Sequence, residues 1–157
     1  MTGHRFFALA ACVLLAGCLR IKEGQGSDDA GAAPDVDTDS PAGQGMLAVQ
    51  TRQCGECHQS PNPADGVLSG QTAPVHGSHA YGSNLTPDPD TGMDAWDAGS
   101  IALAILARQG VDGGTLCPSM PTYADAGMSP TEALSIAAYL QSLTPVWRPI
   151  PASTCAP

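Results

Sequence analysis

The stretch that decides the fold is Cys54-Gly55-Glu56-Cys57-His58, a Cys-x-x-Cys-His pattern. Both thiols come from one turn of backbone, where they can add to the vinyl groups of a single haem, and the following imidazole can then bind the iron. The pattern is therefore typical of covalent attachment of one c-type haem. We expect Cys54 and Cys57 to be the thioether anchors and His58 to be an axial iron ligand.

Two other roles for these cysteines agree less well with the sequence. A structural zinc site needs a second pair of ligands, and the only available pair is His76 with His79, in a Gly-rich stretch. A thioredoxin-like redox pair follows a hydrophobic strand, whereas residues 46–53 show no strand pattern. Haem attachment agrees with the adjacent histidine and with the export signal at the start of the chain.

The first 18 residues have the layout of an export signal. A basic start precedes an apolar run from Phe6 to Leu15, which is too short to cross a membrane. Leu15-Ala16-Gly17-Cys18 resembles the lipobox of bacterial lipoproteins, which implies a lipid on Cys18 and a membrane anchor facing the periplasm. Leu19 replaces the Asp that marks inner-membrane retention, which favours the outer membrane. A plain secretory signal is the alternative.

Composition divides the chain into a signal peptide (1–17), a lipid-anchored acidic tether (18–45) and a folded domain (46–157). The tether is rich in Gly, Ser, Ala, Pro and Asp, so it cannot offset its own ordering entropy by burial. The roughly 110 residues that remain suffice for one small domain. The chain has two Phe, both in the signal, so a large apolar prosthetic group would supply core surface that side chains lack.

The formal net charge is −9, and the six Lys and Arg are scattered along the chain. This distribution leaves no basic patch for nucleic acid. We expect instead a redox partner whose surface is basic, or at least not acidic.

Cys117 and Cys155 remain after the other cysteines are assigned to signal, lipid and haem. In an oxidising exported compartment two spare thiols are expected to form a disulfide. The bridge would tie the tail to the loop just before Met120. Two unpaired thiols, or one used between molecules, are the alternatives.

Three segments carry helical signals. Residues 41–53 predict a modest helix that leads into the haem motif, and residues 97–109 have helical periodicity, with Gly110 placed to cap the end. Ser129-Pro130-Thr131-Glu132 is a capping box with Pro at the first helical position, and Pro145 ends the helix that it starts. No strand pattern or internal repeat appears, so the predicted fold class is all-α with long loops.

Met120 lies between Pro118 and Pro121, and the two prolines restrict the backbone on either side of it. Such a loop can hold a thioether at a fixed distance from the iron, so Met120 is the expected second axial ligand. His76 and His79 are the alternative ligands, although their flanking glycines indicate a mobile loop.

From about residue 45 to residue 145 the chain resembles a monohaem, class I-type c-type cytochrome, and is most similar to cytochrome domains that accompany bacterial periplasmic dehydrogenases. The matching pieces are Cys54 to His58, Asn84-Leu85-Thr86-Pro87-Asp88, Thr91-Gly92 with Trp96, Asp112-Gly113, Met120-Pro121 with Tyr123, and Leu134 to Leu143 followed by Thr144-Pro145-Val146. The resemblance implies a small cytochrome c-like domain of three to five helices around one covalently bound haem c.

Carried over to this sequence, the family pattern makes Cys54 and Cys57 the thioether anchors, His58 the proximal ligand and Met120 the distal ligand. Thr122 departs from the pattern, which often has an aromatic residue directly after Met-Pro. Asn84-Leu85-Thr86 also fits a glycosylation sequon, but we interpret it as a structural turn.

The resemblance implies an electron carrier and not an enzyme. One haem would pass single electrons between redox partners on the periplasmic side of a membrane, such as a dehydrogenase, an oxidase or another cytochrome. A haem enzyme or gas-sensing domain with an open or displaceable sixth site is the alternative. A permanent electron-accepting subunit of a dehydrogenase complex is a third possibility.

Overall fold

The computed structural model describes residues 37–155; the signal peptide and the tether from Cys18 to residue 36 lie outside the described residues. Within them the chain forms four α-helices and no β-strand: α1 (Pro41–Thr51), α2 (Gly55–His58), α3 (Ala98–Ala107) and α4 (Pro130–Ser142). Two 3₁₀ turns, Pro63–Asp65 and Val75–Gly77, lie in the long loop between α2 and α3. The predicted all-α class is therefore confirmed. No helix in the described part is both long and apolar enough to cross a membrane.

The three longer helices start at side-chain caps that the sequence supplies. At the start of α1, the Ser40 side chain accepts a hydrogen bond from the Gly43 amide. The Asp97 carboxylate accepts one from the Ser100 amide at the start of α3. At the start of α4, the Ser129 hydroxyl accepts one from the Glu132 amide at 3.1 Å. Such caps satisfy backbone donors that a helix leaves without partners in its first turn. The predicted start of α4 at Ser129-Pro130 is confirmed.

Two boundaries differ from the sequence prediction. The folded part begins before residue 46, because α1 already starts at Pro41 and the glycines of its first turns are buried. Helix α3 ends at Ala107, because Arg108 adopts the left-handed conformation (φ 56°, ψ 30°) that was expected of Gly110. The backbone carbonyl of Arg108 accepts a 2.7 Å hydrogen bond from the Leu116 amide, so the following loop helps to fix this conformation.

Helix α4 packs against both α1 and α3, and the three helices share one apolar core. The buried residues of this core are Val49, Leu68, Ile101, Ala102, Ile105, Met128, Ala133, Ile136, Ala137, Tyr139, Leu140 and Leu143. Gly45 lets α1 and α4 approach closely, since a Cβ atom there would lie 1.9 Å from the Ser135 carbonyl oxygen. The crossing of these two helices therefore requires glycine at this position.

Replacing Gly45 with Ala should destabilise the domain by about 3 kcal/mol, because backbone on both helices must shift to remove the overlap. Chemical denaturation of the purified protein measures the change. Gly99→Ala is the matched control, since its new Cβ would meet no backbone atom and only the Asp97 carboxylate, at 3.3 Å. Equal stability of the two variants would contradict the close crossing.

The segment after α4, residues 144–155, runs back along the long loop between α2 and α3. Asn84, which is 2% exposed, donates from its side-chain amide to the Val146 carbonyl at 2.8 Å. Its Oδ1 accepts hydrogen bonds from both the amide and the hydroxyl of Thr86. Asn84 is therefore a buried internal partner, and the interpretation of its sequon as a structural turn is confirmed.

Glu132 does not complete the capping box, because its carboxylate pairs with Arg52 at the end of α1. The two contacts are Nε to Oε1 at 2.9 Å and Nη2 to Oε2 at 3.0 Å, a bidentate arrangement. The hydrogen bonds from Arg52 hold the pKa of Glu132 below its usual value. The pair joins the end of α1 to the start of α4.

Because the pKa of Glu132 is lower in the folded state, the pair stabilises the domain above the unfolded pKa of about 4.3, and this contribution is lost as the pH falls through the folded pKa. Arg52→Gln should therefore lower the melting temperature at about pH 7 and make little difference at about pH 3. Thermal unfolding followed by circular dichroism at both pH values is the measurement. A difference of equal size at both would assign the effect of Arg52 to packing.

Candidate functional site

A cavity of about 490 Å³ lies in the core and is lined by residues of all four helices and of the long loops. Its walls are mainly apolar and include Val49, Val75, Leu85, Met93, Trp96, Ile101, Ile105, Leu116, Ile136 and Leu140. Cys54, Cys57, His58 and Met120 also line it. The structure thus brings together all four residues that the sequence predicted to hold a cofactor.

The alternative ligands His76 and His79 are exposed and are not among the residues that line this cavity. Among residues 37–155 no three His, Cys, Asp or Glu side chains gather as a site for a metal ion. The structure therefore does not bring His76 and His79 together with Cys54 and Cys57, as a zinc site built from these four residues would require.

The Cys-x-x-Cys-His motif forms a single helical turn at the end of α1. Gln53 adopts a left-handed conformation (φ 58°) and turns the chain away from the α1 axis. The Cys54 amide then bonds to the Val49 carbonyl at 3.1 Å, and the His58 amide bonds to the Cys54 carbonyl at 3.1 Å. Both thiols and the imidazole are therefore presented to the cavity from one short, hydrogen-bonded unit.

The His58 ring is oriented by a backbone carbonyl. Nδ1 donates a hydrogen bond to the Ser83 carbonyl oxygen at 2.9 Å, since a carbonyl can only accept. Nε2 then carries the lone pair. Burial lowers the pKa of His58, although the bond to Ser83 acts in the opposite direction. Burial thus favours the neutral imidazole, and the bond to Ser83 selects the tautomer that can bind a metal through Nε2.

Gly82 allows the Ser83 carbonyl to reach the imidazole. A Cβ atom on Gly82 would lie 1.6 Å from the Cys57 carbonyl oxygen, so the segment lies directly against the motif. The Gly70 amide also bonds to the His58 carbonyl at 2.7 Å. Sequence reasoning missed Ser83, and no side-chain pattern could have revealed it, because the residue acts through its backbone.

The thiols of Cys54 and Cys57 are half-buried and are not bonded to each other. Burial raises the pKa of both, and Glu56 raises that of Cys57 further. A reactive redox pair has a lowered thiol pKa and follows a strand, whereas these cysteines follow a helix. The environment therefore gives no support to a thioredoxin-like role.

Met120 is half-buried in a turn closed by a 3.0 Å hydrogen bond from its amide to the Cys117 carbonyl. Tyr123 anchors the loop to α3 through a 3.2 Å bond from its amide to the Ile105 carbonyl, and the residue also lines the cavity. Burial raises the pKa of the Tyr123 phenol. Met93 also lines the cavity, which its sequence setting did not predict.

Cys117 and Cys155 are joined as a disulfide with their Cα atoms 5.3 Å apart. The bridge spans 38 residues of sequence. Both cysteines lie on the wall of the same cavity as Met120.

No protein-family model matches this chain. A stretch of 75 residues, 46% of the chain, is 35% identical to a protein from Pseudomonas putida that is described as a subunit of nicotinate dehydrogenase. The match covers 6% of that relative, so the chain corresponds to a small part of a much larger protein. The chain is thus a small all-α domain that is similar in sequence to a part of a dehydrogenase subunit.

Proposed function

We propose that this protein is an electron-transfer c-type cytochrome, in which Cys54 and Cys57 attach one haem c and His58 and Met120 are the axial ligands. One observation carries the proposal: two thiols, an oriented imidazole and a thioether, each selected from the sequence, line a single apolar cavity.

The residues around the cavity fit such a group. The apolar walls suit the faces of a macrocycle, and the two thiols come from the turn that also presents the imidazole. The Nε2 lone pair of His58 is free because the proton lies on Nδ1, which donates a hydrogen bond to the Ser83 carbonyl. The absent side chain of Gly82 keeps the supporting backbone close to the motif.

When bound, haem c supplies one-electron chemistry between the ferric and ferrous states. The chain contributes the environment: apolar side chains exclude water, and Ser83 fixes the ring of His58. As an iron ligand, the neutral thioether of Met120 would favour the reduced state and so raise the reduction potential.

The partners in this proposal are redox proteins, with a dehydrogenase first among them. The similarity to a part of a nicotinate dehydrogenase subunit supports a dehydrogenase as electron donor. The net charge of −9 favours a partner with a basic docking face. A lipid on Cys18 would keep the domain at a membrane on the periplasmic side, with the outer membrane favoured.

A haem enzyme or gas sensor with an open sixth site is less well supported. Such a site would need a distal acid or base, and the candidates His76 and His79 do not line the cavity, whereas Met120 does. We therefore propose a carrier that transforms no substrate by itself.

Visible spectra of the purified exported protein, oxidised and reduced, with a pyridine haemochrome assay, test the proposal. We expect one covalent haem c per chain and slow, weak binding of carbon monoxide or cyanide. Tight, immediate binding would favour the open-site alternative. Colourless protein from a host with intact cytochrome maturation would contradict the whole proposal. Co-purification with a dehydrogenase would distinguish a permanent subunit from a free carrier.

A further inference from the structure

The Cys117–Cys155 disulfide connects the segment that supports His58 with the segment that carries Met120. On the His58 side, the residues just before Cys155 are bound to the loop that leads to Ser83. The Thr154 amide bonds to the His79 carbonyl at 2.9 Å, and the Tyr81 amide bonds to the Ser153 hydroxyl at 2.9 Å. The tail is thus fixed to the same loop that orients the imidazole.

On the Met120 side, backbone hydrogen bonds fix the two ends of the loop but not residues 117–121 between them. Leu116 and Tyr123 bond through their amides to Arg108 at the end of α3 and to Ile105 within it. Within the described residues, no hydrogen bond joins residues 117–121 to another part of the chain; the amide of Met120 bonds only within this turn. The Met120 side chain packs against the core, and the disulfide is the covalent link that ties the backbone of its turn to another segment.

The two cysteines differ in their access to solvent. Cys155 is exposed, whereas Cys117 is half-buried. A thiolate from outside can therefore approach the sulfur of Cys155 more readily than that of Cys117.

We propose that Cys117–Cys155 is a thiol–disulfide exchange site, and that its reduction by a dithiol releases the Met120 turn and opens the distal side of the cavity. The proposal rests on the proposed function, since it concerns the ligand role of Met120. With the bridge intact the protein is a closed electron carrier. With the bridge reduced it binds small ligands in place of the thioether.

The exchange balances with a dithiol as the reductant. One thiolate of the dithiol attacks the sulfur of Cys155, the disulfide bond breaks, and the electron pair leaves on Cys117, which takes up a proton. The second thiol of the reductant then displaces the Cys155 thiolate, which is protonated in turn. Two electrons and two protons pass to the protein, and the dithiol leaves as its own disulfide.

Release of the turn follows from chain entropy. With the bridge in place, few conformations are open to residues 117–121 between their two anchored ends. Without it the turn samples more conformations, so the fraction of time in which Met120 occupies its bound position falls. A competing ligand can then bind a larger fraction of the molecules, because Met120 is away from its bound position in more of them.

The test uses the purified haem-loaded protein, kept ferrous with ascorbate, with and without dithiothreitol followed by iodoacetamide. We expect two alkylated residues per treated chain, Cys117 and Cys155. We also expect carbon monoxide binding to become about tenfold faster or more. Amide hydrogen exchange should rise in residues 117–121 and stay unchanged in α1 and α4.

Two variants complete the design. Cys117→Ser combined with Cys155→Ser should bind carbon monoxide rapidly without reductant and should not respond to it. Met120→Ala should bind rapidly whether or not the bridge is reduced. The treated parent protein provides the same comparison if the double variant does not fold.

If dithiothreitol does not reduce the disulfide in the folded protein, the proposed exchange site is wrong. If the alkylated protein shows unchanged carbon monoxide binding and unchanged hydrogen exchange, reduction of the bridge does not open the distal side of the cavity. If untreated protein already binds carbon monoxide as fast as Met120→Ala, the ligand assignment in the proposed function fails instead. Hydrogen exchange of residues 117–121 then decides separately whether the bridge holds the turn.

Discussion

Met120→Ala should remove the weak red absorption band of thioether-bound ferric haem and lower the reduction potential by on the order of 0.1 V or more, since axial ligands set haem potentials over a range of about 0.8 V. The physical reason is the loss of a neutral sulfur ligand that favours the ferrous state. Visible spectroscopy and a potentiometric titration measure the two effects. Carbon monoxide should also bind at once to the reduced variant.

Met93→Ala is the matched control, because Met93 lines the same cavity but lies outside the proline-flanked turn. It should keep the red band and shift the potential far less. If Met93→Ala loses the band while Met120→Ala keeps it, the distal ligand is Met93. If neither variant loses the red band, the distal ligand is a different residue.

Cys54→Ala or Cys57→Ala should impair covalent haem attachment and leave a poorly folded domain. The cavity of about 490 Å³ is lined mainly by apolar side chains of the core. Without haem these walls would be exposed to water, which costs about 25 cal/mol per Å² of apolar surface. Because a typical domain is stable by only about 5–15 kcal/mol, such a loss of burial should destabilise this domain strongly. The haem stain of a denaturing gel and thermal unfolding are the measurements.

The double variant Cys117→Ser with Cys155→Ser is the control for this experiment, since it also removes two cysteines from the cavity wall. It should keep covalent haem, although it should be less stable by roughly 3 to 4 kcal/mol, the chain-entropy expectation for a loop of this length. A Cys54→Ala protein as stable as the parent would show that haem is not part of the core.

Much of the fold follows from local signals along the chain. Ser40 and Ser129, each followed by proline, fix where α1 and α4 begin, because the hydroxyl caps and the ring of proline act within one turn of backbone. The Cys-x-x-Cys-His motif similarly forms its own helical turn. Such features could be predicted because each depends on neighbours only a few residues away.

Other features depend on contacts between distant segments and could not be predicted. The prediction that Gly110 caps the end of α3 was wrong, because a hydrogen bond from the Leu116 amide helps to hold Arg108 in the left-handed conformation. The carboxylate of Glu132 pairs with Arg52, 80 residues away, instead of closing its own capping box. In both cases a long-range partner outweighs a local preference.

By itself, the sequence determined the chemistry of the candidate site: two thiols, an imidazole and a thioether, with all-α segments to carry them. Only the tertiary structure decided that these groups share one cavity, that a backbone carbonyl of Ser83 orients His58, and that Cys117 is bonded to Cys155. The physical reason is that side-chain types and turn signals are local, whereas backbone hydrogen bonds and close approaches such as that of Gly82 exist only once the chain has folded.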